Sequence, residues 1–311
     1  MKISIIIPVY NEEDSIELLV DKINSVGKEM ESNTLEIILV DDGSTDKTKS
    51  IIKNLINNSS NIILISLVRN YGQTAALTAG IDRADGEIIV TMDADLQNDP
   101  SDIPNLIEKL DEGYDVVNGW RKDRNDNYFS RILPSKFANW IISKISGVKL
   151  HDYGCTLKVY RKEILEDVRL YGEMHRFIPI YITWQGGRVV EVPVKHHSRI
   201  YGESKYGITR TVSVIVDLIF LKFMDKQFVH PIHLFGGFAV FNILLSLFCF
   251  FLMIYFKYWN GDSFIQTPLP QLVVLFVITG FLSLFMGFIA EVLMRTYFES
   301  QNKASYKIRK D

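Results

Sequence analysis

Two aspartates that stand two residues apart are the feature of this sequence best suited to chemistry. Asp93 and Asp95 follow an apolar run in the segment Met-Asp-Ala-Asp-Leu-Gln, and two carboxylates at the end of a buried strand cannot both be solvated at ordinary surface cost. A hard divalent cation such as Mg²⁺ or Mn²⁺, sharing its coordination with substrate phosphates, would offset their charge. It would also neutralise the charge that develops on a departing nucleoside diphosphate. A solvated turn at a strand end is the alternative explanation.

A second acidic segment ends an earlier apolar run. In Val-Asp-Asp-Gly-Ser-Thr-Asp, Asp41 and Asp42 stand where a carboxylate can accept hydrogen bonds from a base edge or from ribose hydroxyls. Ser44 or Thr45, with Asp46, can cap the following helix, so capping explains these three residues without a function. Capping does not require the two aspartates at the end of the run.

The first apolar run ends in a similar way. Tyr10, Asn11 and Glu12 follow it, and Pro8 should hold the connecting loop rigid. The competing explanation is that Asn11 caps the next helix.

Four β-rich apolar runs, separated by polar stretches of helical length, must position these side chains. The predicted strands are Ile3 to Val9, Glu36 to Asp41, Ile62 to Leu67 and Glu87 to Met92. This alternation predicts an α/β fold with a mostly parallel, Rossmann-like sheet and helices on both faces. Because ligands of such sheets bind outside the carboxyl ends of the strands, the polar segments should share one site.

The composition changes near Lys226, and long apolar runs follow. Leu234 to Phe256 is 23 residues without a charge, and Leu269 to Ala290 is another 22. Each run is long enough to cross about 30 Å of hydrocarbon at about 1.5 Å per residue. The sequence therefore predicts a two-helix transmembrane hairpin, and a pair of buried core helices is the alternative.

The basic residues predict the orientation of this hairpin. Only Lys257 lies in the connection, whereas several basic residues flank the two runs: Lys222, Lys226, Arg295, Lys303, Lys307, Arg309 and Lys310. Both termini and the catalytic part should therefore be cytoplasmic. Residues 209–228 have the spacing of an amphipathic interfacial helix, with an ordinary core helix as the alternative. The predicted parts are a catalytic domain (1–208), the interfacial helix (209–230), the hairpin (231–297) and a basic tail (298–311).

The overall composition excludes some other classes. A formal charge of -3 and a pI near 6.1 give no basic field for nucleic-acid binding. Cys249 lies inside an apolar run, so a disulfide with Cys155 is implausible and a reducing compartment fits best. The N-terminal apolar stretch is too short to span a membrane and has no cleavage signal, which favours a first strand over a signal peptide.

Four ordered motifs give the chain a resemblance to a known family. PVYNEE, VDDGSTD, RNYGQTAALTAG and DADLQNDP resemble, in this order and spacing, the family 2 glycosyltransferases of GT-A fold. DYGCTLKVYR, GEMHRFIP and RIYGESKYG, followed by two spans, are similar to the polyprenyl-phosphate glycosyltransferases, of the dolichol-phosphate mannose synthase and bactoprenol glucosyltransferase types. The resemblance covers essentially the whole chain.

The resemblance implies roles for the residues at the strand ends. The metal and the diphosphate would be held by Asp93, Asp95 and Gln97. The nucleotide-sugar site would be lined by Asp93 together with Pro8, Tyr10, Glu12, Asp41, Asp42, Arg69 and Gln73. The family inverts the anomeric carbon by direct displacement.

The acceptor of such an enzyme would be a polyprenyl phosphate in the membrane. A phosphate with a second pKa near 6 is already largely dianionic, so cationic positioning matters more than a strong base. The candidates for binding it are Arg121, Arg131, Arg176, Arg199, Ser204 and Lys205. We expect Arg121 and Arg131 to act in catalysis with Asp95. Asp152 could orient the acceptor or serve as a base, and a buried structural carboxylate is its alternative.

The resemblance favours glucose carried by UDP as the sugar donor, and it leaves two other functions open. A processive polysaccharide synthase would carry a Gln-x-x-Arg-Trp motif, but here Val189 follows Gln185 and Arg188. An inactive membrane scaffold would show a damaged acidic motif or missing arginines, and neither is seen. A homo-oligomer is compatible with small residues that allow helices to pack closely: Gly236, Gly237, Gly280 and Gly287.

Overall fold

The structure is a computed structural model of the 311-residue chain. It describes residues 1–30, 33–122, 133–165, 168, 172, 174–198, 231–261 and 263–300. The chain divides into two compact units, Met1–Phe220 and Leu221–Asp311. The predicted boundaries at residues 208 and 230 fall outside the described ranges and stay predictions.

A seven-stranded sheet forms the centre of the first unit. Its strands are β1 (Lys2–Val9), β2 (Thr34–Asp41), β3 (Ile62–Ser66), β4 (Ile88–Thr91), β5 (Val116–Trp120), β6 (Lys158–Arg161) and β7 (Val189–Pro193). Their order is β3-β2-β1-β4-β6-β5-β7, and β6 is antiparallel to both of its neighbours while the other adjacent pairs are parallel. The predicted mostly parallel sheet is confirmed, and the four predicted strands correspond to β1–β4.

Helices cover both faces of this sheet. They are α1 (Ile16–Glu29), α2 (Thr48–Asn58), α3 (Gln73–Arg83), α4 (Ile103–Asp111), α5 (Leu133–Ser146), α6 (Lys162–Leu165) and α7 (Ile178–Trp184). Ile5 of β1 packs in a core cluster with α1 and α4, whereas Ile6 packs in a second cluster with α3 and α7. Successive strand residues point to opposite faces, so a strand that is buried on both faces has an uninterrupted apolar sequence.

The second unit is a helical hairpin. It consists of α8 (Pro231–Tyr255), a π-type turn (Phe256–Asn260), a short 3₁₀ turn (Phe264–Gln266) and α9 (Leu269–Ser300). By length and composition, two helical segments could cross a membrane, Pro231–Trp259 and Leu269–Thr296. Only 22% and 11% of their most apolar stretches are buried. Core helices of a soluble protein would be mostly buried, so this exposure favours the membrane-spanning prediction.

Polar side chains join the two helices of the hairpin. The Thr279 hydroxyl donates to Oδ1 of Asn242 at 2.9 Å, and the Ser283 hydroxyl donates to the carbonyl of Phe235 at 3.0 Å. Each such bond satisfies a polar group that would otherwise face hydrocarbon.

Two of the four predicted small residues of the hairpin lie in close contacts between its helices. A Cβ on Gly287 would lie 3.0 Å from Cβ of Phe235, and one on Gly280 would lie 3.3 Å from the carbonyl oxygen of Ala239. Two further glycines have open space around them: Gly236 and Gly237. The predicted close packing of helices is therefore present inside the hairpin, and a homo-oligomer stays a prediction.

Candidate active site

The loops after β1 and β2 are bonded to each other at the carboxyl edge of the sheet. The backbone N–H of Asn11 donates to the Ser44 hydroxyl at 3.0 Å, and the backbone N–H of Thr45 donates to Oδ1 of Asn11 at 2.8 Å. The backbone N–H of Glu12 donates to the Thr48 hydroxyl at 2.9 Å. The strands are parallel neighbours, so the two predicted polar segments form one surface.

Of the helix caps predicted after β2, the one by Asp46 is present, and those by Ser44 and Thr45 are wrong. Oδ1 of Asp46 accepts from the backbone N–H of Thr48 at the start of α2, at 3.0 Å. Ser44 and Thr45 bond instead to the loop after β1. Capping by Asn11 is wrong as well, because its amide oxygen is bonded to the β2 loop and α1 begins only at residue 16. Asn11, Ser44 and Thr45 instead join the loops after the two strands.

The two buried aspartates after β2 have different partners. Asp42 accepts from the backbone N–H groups of Tyr71 at 2.7 Å and Gly72 at 2.8 Å, one on each carboxylate oxygen. Oδ1 of Asp41 accepts from the backbone N–H of Ser44 at 2.9 Å, and no described residue donates to its Oδ2. Asp42 therefore fixes the loop before α3, while Asp41 retains an oxygen for a ligand. Their predicted contact with a nucleotide stays a prediction.

A glycine brings the loop that carries Arg69 against the β2 loop. Gly43 has a φ of 74°, and a Cβ there would lie 2.6 Å from the carbonyl carbon of Arg69, so another residue would both strain the backbone and clash. The Arg69 side chain is exposed, and its guanidinium carbon lies 4.9 Å from the centroid of the Tyr71 ring. This places Arg69 at the rim of the predicted nucleotide site.

The acidic motif after β4 is built around a strained turn. Nε2 of Gln73 donates to Oδ1 of Asp93 at 2.7 Å, and the backbone N–H of Gln97 donates to Oδ1 of Asp95 at 3.1 Å. Leu96 between them has a φ of 61°, a left-handed conformation that costs a leucine about 1–2 kcal/mol. Burial of the Leu96 side chain in the core offsets this cost. The core thereby holds Asp95 and Gln97 in a fixed arrangement.

This motif offers oxygen ligands for a divalent cation. In the described part of the chain, no group of three or more His, Cys, Asp or Glu side chains is arranged to hold a metal ion. A cation bound by Asp93 and Asp95 would therefore complete its coordination with phosphate oxygens and water, as Mg²⁺ commonly does. Nε2 of Gln97, the third predicted ligand, lies 3.5 Å from the carbonyl oxygen of His197. The donor set fits a cation that binds together with a diphosphate.

Arg121 and Asp152 form a bidentate ion pair beside this motif. Nε and Nη2 of Arg121 donate to Oδ2 and Oδ1 of Asp152 at 2.7 and 2.9 Å, and Oδ1 also accepts from the backbone N–H of Gly154 at 3.1 Å. Burial alone would lower the pKa of Arg121, but the charge and hydrogen bonds of Asp152 outweigh it and raise the pKa above its usual range. A carboxylate engaged in this way favours the structural alternative for Asp152. A role as base stays a prediction.

Two arginines converge over Gly154. A Cβ at this position would lie 3.2 Å from Nη2 of Arg121 and 3.5 Å from Nη1 of Arg176. Gly154 lines a small cavity that opens to solvent, and its other polar lining residues include Gln73, Asp93, Lys158, His175 and Arg176. The predicted metal ligand Asp93 and the predicted acceptor residue Arg176 therefore line one cavity.

The beginning of α3 fixes the turn that carries Arg176. The Thr74 hydroxyl donates to the carbonyl of Gly172, and it lies 2.6 Å from Nδ1 of His175. Because the single hydroxyl proton is used on the carbonyl, Nδ1–H of His175 must be the donor in the second bond. These bonds hold the Met174–Arg176 turn, and with it Arg176, beside the helix whose first residue, Gln73, contacts Asp93.

Residues 4–169, more than half of the chain, match the family model described as Glycosyl transferase family 2. The chain belongs to glycosyl transferase family 2. It is 39% identical over 313 residues to dodecaprenyl-phosphate galacturonate synthase of Rhizobium johnstonii, covering 99% of this chain and 92% of that protein. It is 36% identical over 312 residues to undecaprenyl-phosphate 4-deoxy-4-formamido-L-arabinose transferase of Proteus mirabilis, covering 99% and 93%.

Solved structures show the fold of this family 2 glycosyltransferase. Glucosyl-3-phosphoglycerate synthase of Mycobacterium tuberculosis, in complex with Mn²⁺, UDP and glucosyl-3-phosphoglycerate, superposes with a TM-score of 0.56 at 19% identity, covering 71% of this chain and 79% of that one. The same enzyme with Mg²⁺ and UDP gives 0.54 at 18% identity, again covering 71% and 79%. The predicted GT-A fold and glycosyltransferase class are confirmed.

Several predicted site residues lie outside the described residues. They are Arg131, Arg199, Ser204 and Lys205, together with the loop 202–207 and the interfacial helix 209–228. Their predicted roles in this family 2 enzyme stay predictions.

The segment that partly matches the polysaccharide-synthase motif lies away from the site. Arg188 precedes β7, so it stands at the amino-terminal edge of the sheet, whereas the site occupies the carboxyl edge. Its guanidinium carbon lies 4.9 Å from the centroid of the Tyr114 ring. In this glycosyltransferase Arg188 packs against an aromatic side chain at the edge opposite the site.

Sequence reasoning missed two charged residues near the ion pair, one buried and one partly buried. Lys158 on β6 lines the cavity, and Glu191 on β7 accepts from the backbone N–H groups of His151 at 2.7 Å and Asp152 at 3.0 Å. Each is flanked by apolar residues, in Leu-Lys-Val and Val-Glu-Val. An isolated charge at a strand position was the signal that could have identified them.

Proposed function

We propose that this chain transfers a sugar from a nucleotide sugar to the phosphate of a polyprenyl phosphate, with Mg²⁺ or Mn²⁺ bound, and releases a nucleoside diphosphate. The observation that carries the proposal is the convergence of Arg121 and Arg176 over Gly154 in a site that also contains Asp93. A cationic subsite beside an acidic motif suits a phosphate acceptor beside a metal-bound diphosphate. The relatives named above are synthases and transferases of the same acceptor class.

The residues divide the work between the two substrates. Asp93, Asp95 and Gln97 would hold the cation, which supplies positive charge against the diphosphate when bound. An oxygen of the acceptor phosphate forms the bond to the anomeric carbon as the bond from that carbon to the diphosphate breaks. Because the phosphate is already dianionic, no proton has to be removed. Arg121 and Arg176 would orient the phosphate for this displacement.

The second unit and α5 support a location at the membrane. The hairpin of α8 and α9 would anchor the enzyme, with both termini in the cytoplasm as the basic residues favour. On α5, Phe137 and Trp140 are 62% and 57% exposed and stack with ring centroids 6.1 Å apart, and Nζ of Lys144 lies 5.1 Å from the centroid of the Trp140 ring. Exposed aromatic side chains beside a lysine suit the headgroup region, where the acceptor phosphate is presented.

The identity of the sugar is the finer part of the proposal. The sequence resemblance favours glucose from UDP-glucose, whereas the two named relatives concern galacturonate and 4-deoxy-4-formamido-L-arabinose. The UDP derivatives of all three sugars therefore belong in the donor panel, together with GDP-mannose.

The test is transfer of radiolabel from this panel into organic-extractable lipid. Purified full-length protein is incubated with undecaprenyl phosphate and Mg²⁺ or Mn²⁺, with and without EDTA. Metal-dependent label in the lipid phase supports the proposal and identifies the sugar. Label in a water-soluble polymer would instead indicate a processive synthase, and no label from any donor would indicate an inactive scaffold.

A further inference from the structure

A buried lysine lies in the cavity at a position that the proposed reaction does not yet use. Lys158 is 3% exposed, and its Nζ donates to the carbonyl of Tyr153 at 3.2 Å. Among the described residues this is its only hydrogen bond, and no carboxylate lies within ion-pair distance. An ammonium group buried with one neutral acceptor is unfavourable unless an anion binds nearby. Packing alone therefore does not explain a lysine here.

Charges of both signs act on the Lys158 ammonium. Arg121 and Arg176 repel its ammonium, and Asp152 is the carboxylate that attracts it. The Cys155 thiol is neutral at pH 7, because burial raises its pKa to about 12. A phosphate monoester carries up to two negative charges at neutral pH, so the cations beside Lys158 would attract it.

Lys158 and the two arginines lie close to Gly154. Lys158 is bonded to the carbonyl of Tyr153, the residue directly before Gly154. The position where a side chain on Gly154 would begin is bordered by Nη2 of Arg121 at 3.2 Å, by Nη1 of Arg176 at 3.5 Å and by Oδ1 of Asp152 at 3.5 Å. An anion above Gly154 would therefore face two guanidinium groups and the carboxylate that is paired with Arg121, and the Lys158 ammonium would supply a further positive charge nearby.

We infer that Lys158 is a positioning residue of the acceptor site, where its charge acts with Arg121 and Arg176 to hold the dianionic phosphate above Gly154. The inference rests on the proposed function of that site. According to this inference, a buried charge contributes to acceptor selectivity, so a lipid phosphate should bind and the corresponding alcohol should not. Binding of the donor's nucleotide, which lies on the side of Asp93 in this proposal, should not change when Lys158 is replaced.

The experiment measures binding to the purified full-length protein by titration calorimetry. The probes are farnesyl phosphate, farnesol, UDP and UDP-galacturonate, and the variants are Lys158→Met, Lys158→Arg and Lys162→Met. Lys162 is the matched control, since its Nζ also donates to one backbone carbonyl, that of Ala84 at 2.7 Å, but it does not line the cavity. Methionine fills a similar volume without a charge, so the variant should fold.

Removing one nearby charge should weaken farnesyl phosphate binding by about tenfold in Lys158→Met, while UDP binding changes less than about twofold. Lys158→Arg should recover most of the loss, and Lys162→Met should resemble the wild type. Unchanged farnesyl phosphate binding in Lys158→Met overturns the inference alone. So does an equal loss for UDP, or a loss confined to UDP-galacturonate, which would place the charge under the donor sugar. A wild type without saturable farnesyl phosphate binding overturns the proposed function together with the inference.

Discussion

Replacing Lys158 with methionine should stabilise the protein at pH 7 although it damages the site. Burial, the largest cause, lowers the pKa of Lys158 from 10.5 to about 8. Because the folded-state pKa lies below the unfolded value, the buried lysine destabilises the folded protein by its full amount below about pH 8. This destabilisation decreases as the pH rises towards 10.5, because the native lysine is then already neutral. The variant lacks this dependence.

The structure gives the size of the effect. The difference between 10.5 and about 8 is worth about 3 kcal/mol in the free energy of unfolding. The Tyr153 carbonyl loses its donor in the variant, which offsets about 1 kcal/mol. The remaining gain of about 2 kcal/mol at pH 7 corresponds to a rise in Tm of roughly 4–8 °C for a domain of about 200 residues.

The assay is thermal unfolding of the detergent-solubilised protein at pH 7 and pH 10. Lys158→Met should exceed the wild type at pH 7, and the difference should fall close to zero at pH 10. The titratable and charged groups that line the same cavity or act on this ammonium are present in both proteins: Asp93, Arg121, Asp152, Tyr153, Cys155, Tyr160, His175 and Arg176. Lys162→Met should show no such gain. A less stable Lys158→Met at pH 7, or a gain that persists unchanged at pH 10, would refute the reasoning.

Three further predictions concern turnover. Asp95→Ala should lower kcat on the order of a thousandfold because metal ligation is lost, while the Tm changes little. The control is Asp111→Ala at an exposed position. Near-normal turnover of Asp95→Ala would contradict a role of Asp95 in metal binding. Gly154→Ala places a methyl group 3.2 Å from Nη2 of Arg121, so the KM for polyprenyl phosphate should rise about tenfold while the donor KM stays constant; equal rises would contradict this subsite. Glu191→Gln weakens the hydrogen bonds that hold the backbone of His151 and Asp152, so kcat/KM should fall roughly 10- to 100-fold without loss of the fold. An unchanged kcat/KM would show that these hydrogen bonds are dispensable for turnover.

The first four strands were predictable for a clear reason. β1 and its parallel neighbours are buried on both faces, so nearly every residue is apolar and the run stands out from the polar stretches around it. β6 was not predicted, because it has only four residues, runs antiparallel and carries Lys158 and Arg161. Nothing in its local pattern shows that it enters the middle of the sheet.

The sequence predicted the types of the site residues better than it predicted their hydrogen-bond partners. The acidic motif stands out because two carboxylates follow a strand, and Asp93 and Gln73 are indeed hydrogen-bonded. Asp42 shows the limit of this reasoning, since its partners lie about 30 residues further on, in the loop before α3. A carboxylate that binds backbone N–H groups has the same sequence signature as one that binds a ligand. Only the fold distinguishes the two.

The pairing of Arg121 with Asp152 was also hidden. Sequence reasoning treats each as a separate candidate, and 31 positions separate them. The pair forms because β5 and the segment before β6 meet at the same edge of the sheet. In the same way, the requirement for glycine at position 154 follows from two side chains that converge from different elements.

The measurement that tests the central claim most directly compares three acceptors under one set of conditions. Wild-type protein, Mg²⁺ and the labelled donor selected from the panel are incubated with undecaprenyl phosphate, undecaprenol or no lipid, and the organic phase is analysed by mass spectrometry. The account predicts one sugar per lipid with undecaprenyl phosphate, joined through the phosphate, and no product with undecaprenol or without lipid. Glycosylated undecaprenol, or label only in a water-soluble polymer, would contradict it.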